Sequence, residues 1–166
     1  MKKLLLFITL LFLQSVMAKG VYQTPLAFLE QAFNGKTPAS STVWITRDKK
    51  QVISDILQHP PAFIRVKYWQ HGAKTAWIMN EIGKEKPITV GVVIEAGHIT
   101  QLKVLTFRES RGWEVSRDFF TRQFNSTSIT PNLKLDQTID GISGATLSVR
   151  ALKKIARITL YLEQQL

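Results

Sequence analysis

Two runs, ITVGVVIE (88–95) and ITQLKVLTF (99–107), constrain the fold of this chain more than any other stretch. Ile88, Val90, Val92 and Ile94 recur at every second position, the period of a strand that buries one face. The linker Ala96-Gly97-His98 is too short for a crossover, so the two strands must be antiparallel neighbours. Phe63–Trp69 and Lys74–Met79 repeat the arrangement around Gln70-His71-Gly72-Ala73, a second hairpin signal. Four strands with short connections make an antiparallel meander.

Helical spacing brackets these strands. Pro25–Phe33 places Phe28, Leu29, Ala32 and Phe33 on one side and ends at Asn34-Gly35. Val43–Ile45 reads as a short strand, and Lys49–Gln58 as a second helix stopped before Pro60-Pro61. The spacing predicts a further helix over Glu114–Phe124, with Val115, Phe119, Phe120 and Phe124 as core contacts. A loop rich in Ser, Thr, Asn and Pro then runs to about Lys134. The final helix, Leu147–Leu166, carries the stripe Leu152, Ile155, Thr159 and Leu162. The expected class is α+β: a curved antiparallel sheet with helices packed on one face.

The chain is 45% hydrophobic over 166 residues, with no repeat and no Pro/Gly/Ser linker, which suits one globular domain. It lacks cysteine, which excludes disulfides, thiolate metal sites, a Cys nucleophile and a lipid-modified N-terminal Cys. Lys2-Lys3, the apolar run Leu4–Leu13 and the small-residue site Val16-Met17-Ala18 read as an export signal, so residues 1–18 are expected to be removed. The alternative is an uncleaved anchor, although ten apolar residues fall short of the ~20 that a span needs. The expected location is therefore the periplasm.

The formal charge of +10 comes from scattered or paired basic residues, such as Lys49-Lys50 and Lys153-Lys154. With export, that pattern speaks against nucleic acid and for solvated surface that attracts phosphorylated ligands or acidic redox partners. A reading in which the protein binds an anionic polymer or a membrane surface rests on charge alone and predicts steep salt dependence.

The stretch DGISGATLSV (140–149) sits just before the last helix. Gly141 and Gly144 remove side chains where the backbone must bend or be approached closely. Ser143 or Thr146 can cap the helix that follows. The same helix N-terminus offers free N–H donors to a phosphate, and a Thr hydroxyl there can donate to the phosphate or be esterified to it. Local pattern alone leaves both alternatives open.

The longer string, Asp140 to Thr146, matches Asp-x-x-Ser/Thr-Gly-Ala-Thr. With KPITVGVVIEAGHITQLKVLTFRES (86–110) and FFTRQF (119–124), it resembles the FMN-binding domain shared by the periplasmic flavoprotein subunits of sodium-pumping quinone reductases and Rnf-type complexes. The resemblance covers roughly 86–160. It divides the exported chain into an N-terminal extension (19–85) and an FMN-binding core (86–166).

The resemblance implies that Thr146 carries FMN through a phosphoester, with Asp140, Ser143, Gly144 and Ala145 forming the rest of the motif. It implies a separate flavin transferase that uses FAD and needs magnesium, the only role for a metal. It further implies that Glu109, Ser110 and Trp113 line the flavin. Over Glu109–Glu114 the family commonly reads Glu-Thr-Pro-Gly-Leu-Gly; here Glu109 and Gly112 match, Ser110 is conservative, and Arg111, Trp113 and Glu114 depart. Trp113 is a candidate to stack on the isoalloxazine, and Arg108 or Arg111 to bring charge near ring or phosphate. His59, His71 and His98 show no metal spacing, Trp44, Trp69 and Trp77 suit packing, and Glu114 with Asp118 suits exposed surface.

The expected function is electron carriage between an unidentified donor and acceptor near the inner membrane, as a carrier or redox subunit rather than a self-sufficient enzyme. The alternative is a non-redox module of the same fold that binds a phosphorylated ligand non-covalently or serves as a scaffold.

Overall fold

The structure, a computed structural model, describes residues 20–166; the export signal expected over residues 1–18 lies outside the described residues. The elements run α1 (Pro25–Ala32), β1 (Ser40–Trp44), α2 (Arg47–Leu57), β2 (Arg65–His71), β3 (Lys74–Ile82), β4 (Pro87–Glu95), β5 (His98–Thr106), a 3-10 turn (Trp113–Ser116), α3 (Asp118–Thr121), a second 3-10 turn (Arg122–Phe124) and α4 (Thr146–Glu163). The five strands form one open antiparallel sheet in the order β1-β2-β3-β4-β5. The α+β meander expected from the hairpin runs is thus present, with β1 as a fifth strand on its edge.

Local chemistry explains where the helices begin and end. Thr24 caps α1 by accepting the Ala27 N–H at 3.2 Å, and Pro25 supplies the fixed φ of the first turn. α2 ends on Gln58, which adopts φ +63 and donates its N–H to Ser54, two residues before Pro60-Pro61.

The main core lies between the sheet and α2 with α4. Trp77, Val90, Val92 and Ile94 face Leu152, Ile155, Ala156 and Leu162, all essentially without solvent contact. Ten residues of α4 are buried, and each large aliphatic contributes roughly 1.5–3 kcal/mol by leaving water. Thr159 enters this core without penalty, because its hydroxyl donates to the Ile155 and Ala156 carbonyls at 3.0 and 3.1 Å. Tyr68 stacks on Trp77 with centroids 5.0 Å apart, and the Trp77 indole donates to Thr75 Oγ1 at 3.0 Å.

Helices on one face describes α2 and α4 but not α1. Phe28, Leu29, Ala32 and Phe33 form a second cluster with Ala76, Val93 and Leu105 on the other face. β4 is therefore buried on both sides except at its ends. Gly91 makes this possible, since a Cβ there would stand 2.6 Å from the Phe28 ring.

β5 departs from plain alternation. Val90 pairs with Val104 while Thr89 pairs with Thr106, and Val93 pairs with Gln101 while Ile94 pairs with Ile99. The extra residues at Leu105 and Thr100 bulge, and this lets Ile99, Leu102 and Val104 share one core despite their odd spacing. The helix expected over Glu114–Phe124 is three short turns instead. Arg117 is extended (φ −79, ψ 146), and its carbonyl accepts the Phe120 and Thr121 N–H groups, both at 3.0 Å. That break buries Val115, Phe120 and Phe124 but leaves Phe119 65% exposed, against the expectation that all four are core.

Glu81 is the one buried carboxylate on the main-core side of β3. It accepts from Lys154 of α4 at 2.9 Å and lies 3.2 Å from His59 Nε2. The pair bolts the last helix to the end of β3 near the expected site.

Gly91→Ala should lower stability by about 1–3 kcal/mol through the forced movement of Phe28. Urea unfolding with an unchanged m-value would show it; an unaltered midpoint would mean that α1 does not seat on β4 as described.

Candidate functional site

Three segments meet at one end of the sheet: the β3–β4 turn, the loop after β5 and the N-terminus of α4. They enclose a cleft of 580 Å³ lined by Lys84, Glu109, Ser110, Arg111 and the stretch Gly144–Ser148. That size falls within the range of small-ligand and cofactor sites.

Ile142 accepts the Ala145 N–H at 3.0 Å, closing a tight turn, and Gly144 supplies the required φ of +80. Helix α4 then starts with Ala145 as its N-cap and Thr146 as its first helical residue. No side chain caps it and no acid lies in its first turn. Neither Ser143 nor Thr146 performs the capping role open to them from sequence. Among the described residues the exposed Thr146 hydroxyl makes no hydrogen bond. The α4 terminus thus presents unpaired N–H donors and the positive end of an 18-residue helix to the cleft.

Glu109 lines the cleft and also holds a turn. One carboxylate oxygen accepts three consecutive backbone N–H groups, from Lys84 at 2.5 Å, Glu85 at 2.7 Å and Lys86 at 2.9 Å. Desolvation pushes its carboxyl up, but those bonds from Lys86, Glu85 and Lys84 and the Lys84 charge outweigh it and hold the group below its ordinary value. Gly83 allows the approach, because a Cβ there would stand 2.9 Å from the carboxylate. Glu109 clamps the turn and sets Lys84 on the rim.

Arg108 is also committed elsewhere, donating to the Pro87 carbonyl at 2.9 Å and Thr89 Oγ1 at 3.0 Å. Arg111 and Ser110 remain exposed in the cleft lining. Gly112 adopts φ +83, and a Cβ there would lie 3.1 Å from the Ala145 Cβ, so the post-β5 loop rests directly on the motif. Trp113 turns into a neighbouring groove of 720 Å³ with Tyr22, Val104 and Phe119, and the Arg117 guanidinium lies over its ring at 4.7 Å.

Asp140 and Ser143 stand outside the cleft lining, exposed on the approach to it. Their position is set from below. Gln123 accepts the Asp140 N–H at 2.8 Å, and Lys153 donates to the Ile139 carbonyl at 3.2 Å. Gln137 donates to Gln123 and Asn125 carbonyls and to Thr127 Oγ1. Further back, the Ser128 hydroxyl and N–H bind Asp136, and together they outweigh burial and hold its carboxyl below the usual range. Sequence reasoning did not single out Lys84, Ser148, Gln123 or Lys153, although Gln123 lies in FFTRQF and Ser148 in DGISGATLSV.

His71 and His98 are exposed, and among the described residues no three His, Asp or Glu side chains converge as metal ligands. His59 is the exception to plain surface placement through its contact with Glu81.

The FMN-binding domain model matches residues 83–160. The match opens at Gly83 of the clamped turn and closes within α4, so it contains every lining residue of the cleft. No curated protein matches the chain. The segment 83–160 is thus similar to a flavin-binding domain.

Glu109→Gln should destabilise the protein by about 1–3 kcal/mol at neutral pH, since the charged acceptor of three N–H groups is lost. A depressed folded-state pKa means that this contribution is present above the ordinary glutamate range and is lost as pH falls through the folded value. Unfolding curves of the two proteins should therefore converge in acid; a constant gap down to low pH would refute the clamp.

Proposed function

We propose that this protein is an exported electron-transfer flavoprotein carrying FMN on Thr146. The observation that supports it best is the uncapped α4 terminus, with an exposed Thr146 as first helical residue inside the segment that matches the FMN-binding domain. A side-chain cap would have taken one of those donors; their availability suits a phosphate.

Attachment replaces the hydroxyl proton of Thr146 with the flavin-side phosphoryl group of FAD and releases AMP. A separate flavin transferase with magnesium is the proposed catalyst, because Glu109, the carboxylate in the cleft lining, is occupied by the β3–β4 turn. Asp140 and Ser143, exposed beside Thr146, suit recognition by that enzyme. Once attached, FMN supplies a carrier of one or two electrons.

The chain's own residues hold and tune. Lys84 and Arg111 supply positive charge opposite the helix dipole, where a phosphate dianion belongs. Trp113 and Phe119, reached past Gly112, offer aromatic surface beside the cleft for the flat isoalloxazine. Gln123 and Lys153 keep the motif at a constant height above the core. The donor and acceptor are expected at or near the inner membrane.

The uncapped terminus also fits the second reading, a module that holds a phosphorylated ligand non-covalently. Denaturation separates the two. The full chain, exported alongside a flavin transferase, should gain the mass of one FMN less one water and show in-gel flavin fluorescence that survives denaturant. Thr146→Val should show neither. Lys84→Ala with Arg111→Ala should attach more slowly, roughly tenfold, as two charge-assisted contacts are removed. Absence of an adduct, with a transferase active on another acceptor, would favour the second reading.

A further inference from the structure

The sheet face opposite α4 is only partly covered. α1 lies over β3 and β4 and reaches Trp69 of β2, leaving Trp44, Arg65 and Lys67 on the β1–β2 side exposed. Because Val43, Val66, Trp77 and Met79 point into the main core, strand alternation turns Trp44, Arg65, Lys67, Ile78 and Ile82 to this other face. Trp44 is 58% exposed, Ile82 55% and Leu26 of α1 61%.

These side chains form one continuous surface. Trp44 and Arg65 are cross-strand partners, with the guanidinium 5.8 Å from the indole centroid. From Arg65 a groove of 370 Å³ runs beside Lys67, Trp69 and Ile78 to Pro25 at the start of α1, next to Leu26. The strands β1–β3 turn Arg65 and Lys67 to this surface and no acid; Glu81 points to the other face.

The start of the described chain belongs to the same end of the sheet. Val21 pairs with Thr106, Thr106 with Thr89 and Thr89 with Asn80, which lines the groove with Arg65.

We propose that this face docks on an anionic lipid bilayer, with Trp44, Leu26 and Ile82 entering the headgroup region and Arg65 and Lys67 meeting lipid phosphates. Two features favour a bilayer over an acidic protein. The apolar side chains stand singly on three elements, α1, β1 and β3, and do not line one deep pocket. Tryptophan beside arginine suits the bilayer interface, where an indole and a cation are both stabilised. This inference does not depend on the flavin reading. It has a consequence for that reading, because Ile82 leads directly into the clamped turn and Lys84, so the cleft would lie close to the bilayer.

The test uses the full chain with vesicles of phosphatidylcholine alone or with one-third phosphatidylglycerol. The wild type should bind the anionic vesicles on the order of tenfold more tightly, and the gain should fall with added salt. Comparison with Arg65→Glu/Lys67→Glu isolates this face from residues 1–19, which both proteins share; the variant should lose most of the gain. Quenching by brominated lipid provides an independent readout, and Trp44→Phe should remove a component present in the wild type. If the double variant keeps the gain, or Trp44→Phe leaves quenching unchanged, the proposal is wrong. Concentration-dependent dimers lost in the double variant, without lipid dependence, would assign the face to a second copy instead.

Discussion

Three N–H groups meeting one carboxylate oxygen hold the working end of this molecule together. A β3–β4 connection of four residues, Gly83–Lys86, would ordinarily leave its backbone donors to solvent. Glu109 gathers three of them from the far side of β4 and β5, so the turn and the post-β5 loop become one body. Gly112 then lets that loop rest on Ala145, which carries the same rigidity to the start of α4. Beneath this, β4 is enclosed on both faces, with Phe28 against Gly91 on one and α4 on the other. The cleft inherits its shape from elements that cannot shift independently.

Much of this was legible in sequence, for identifiable reasons. Period-two runs and turns of three and four residues specify hairpins locally, so β2–β5 were readable from Phe63–Phe107. α1 was readable too, but not its side of the sheet, because that is decided by a missing side chain at Gly91 on a distant strand. Glu114–Phe124 misled because the spacing of Val115, Phe119, Phe120 and Phe124 imitates a helix, and nothing in it announces the extended backbone at Arg117. The bulges in β5 were likewise hidden, since Ile99 and Leu102 look out of phase until Thr100 is taken out of the ladder.

For the site, the motif located Thr146, Gly144 and Ala145, and the fold brings Ser110, Glu109 and Arg111 to them. Glu109 stands in that lining, but its hold on the β3–β4 turn was hidden, because those partners are backbone groups 23 to 25 residues away. Trp113 lies next door and not in the cleft, because the positive φ at Gly112 turns the chain away from Ala145. Lys84, Gln123 and Lys153 contribute through placement alone, and placement is what a single sequence does not state.

The α4 terminus separates structural need from functional use. Elsewhere the chain caps unevenly: Thr24 serves α1 and a left-handed Gln58 closes α2, while Thr46 at the start of α2 makes no capping bond. At α4, the longest helix among the described residues, it has Ser143 three residues ahead of Thr146 and does not use it. A capping side chain is worth about 1 kcal/mol, so leaving it out has a stability cost. The tight turn through Gly144 is what prevents it, carrying Ser143 out to solvent and leaving the helix donors open. A bound phosphate would recover that loss by linkage, because only the folded chain assembles the donors. Under the proposed function, attachment of FMN is therefore also the missing cap, and the attached protein should be more stable than the bare one by at least the value of an ordinary N-cap.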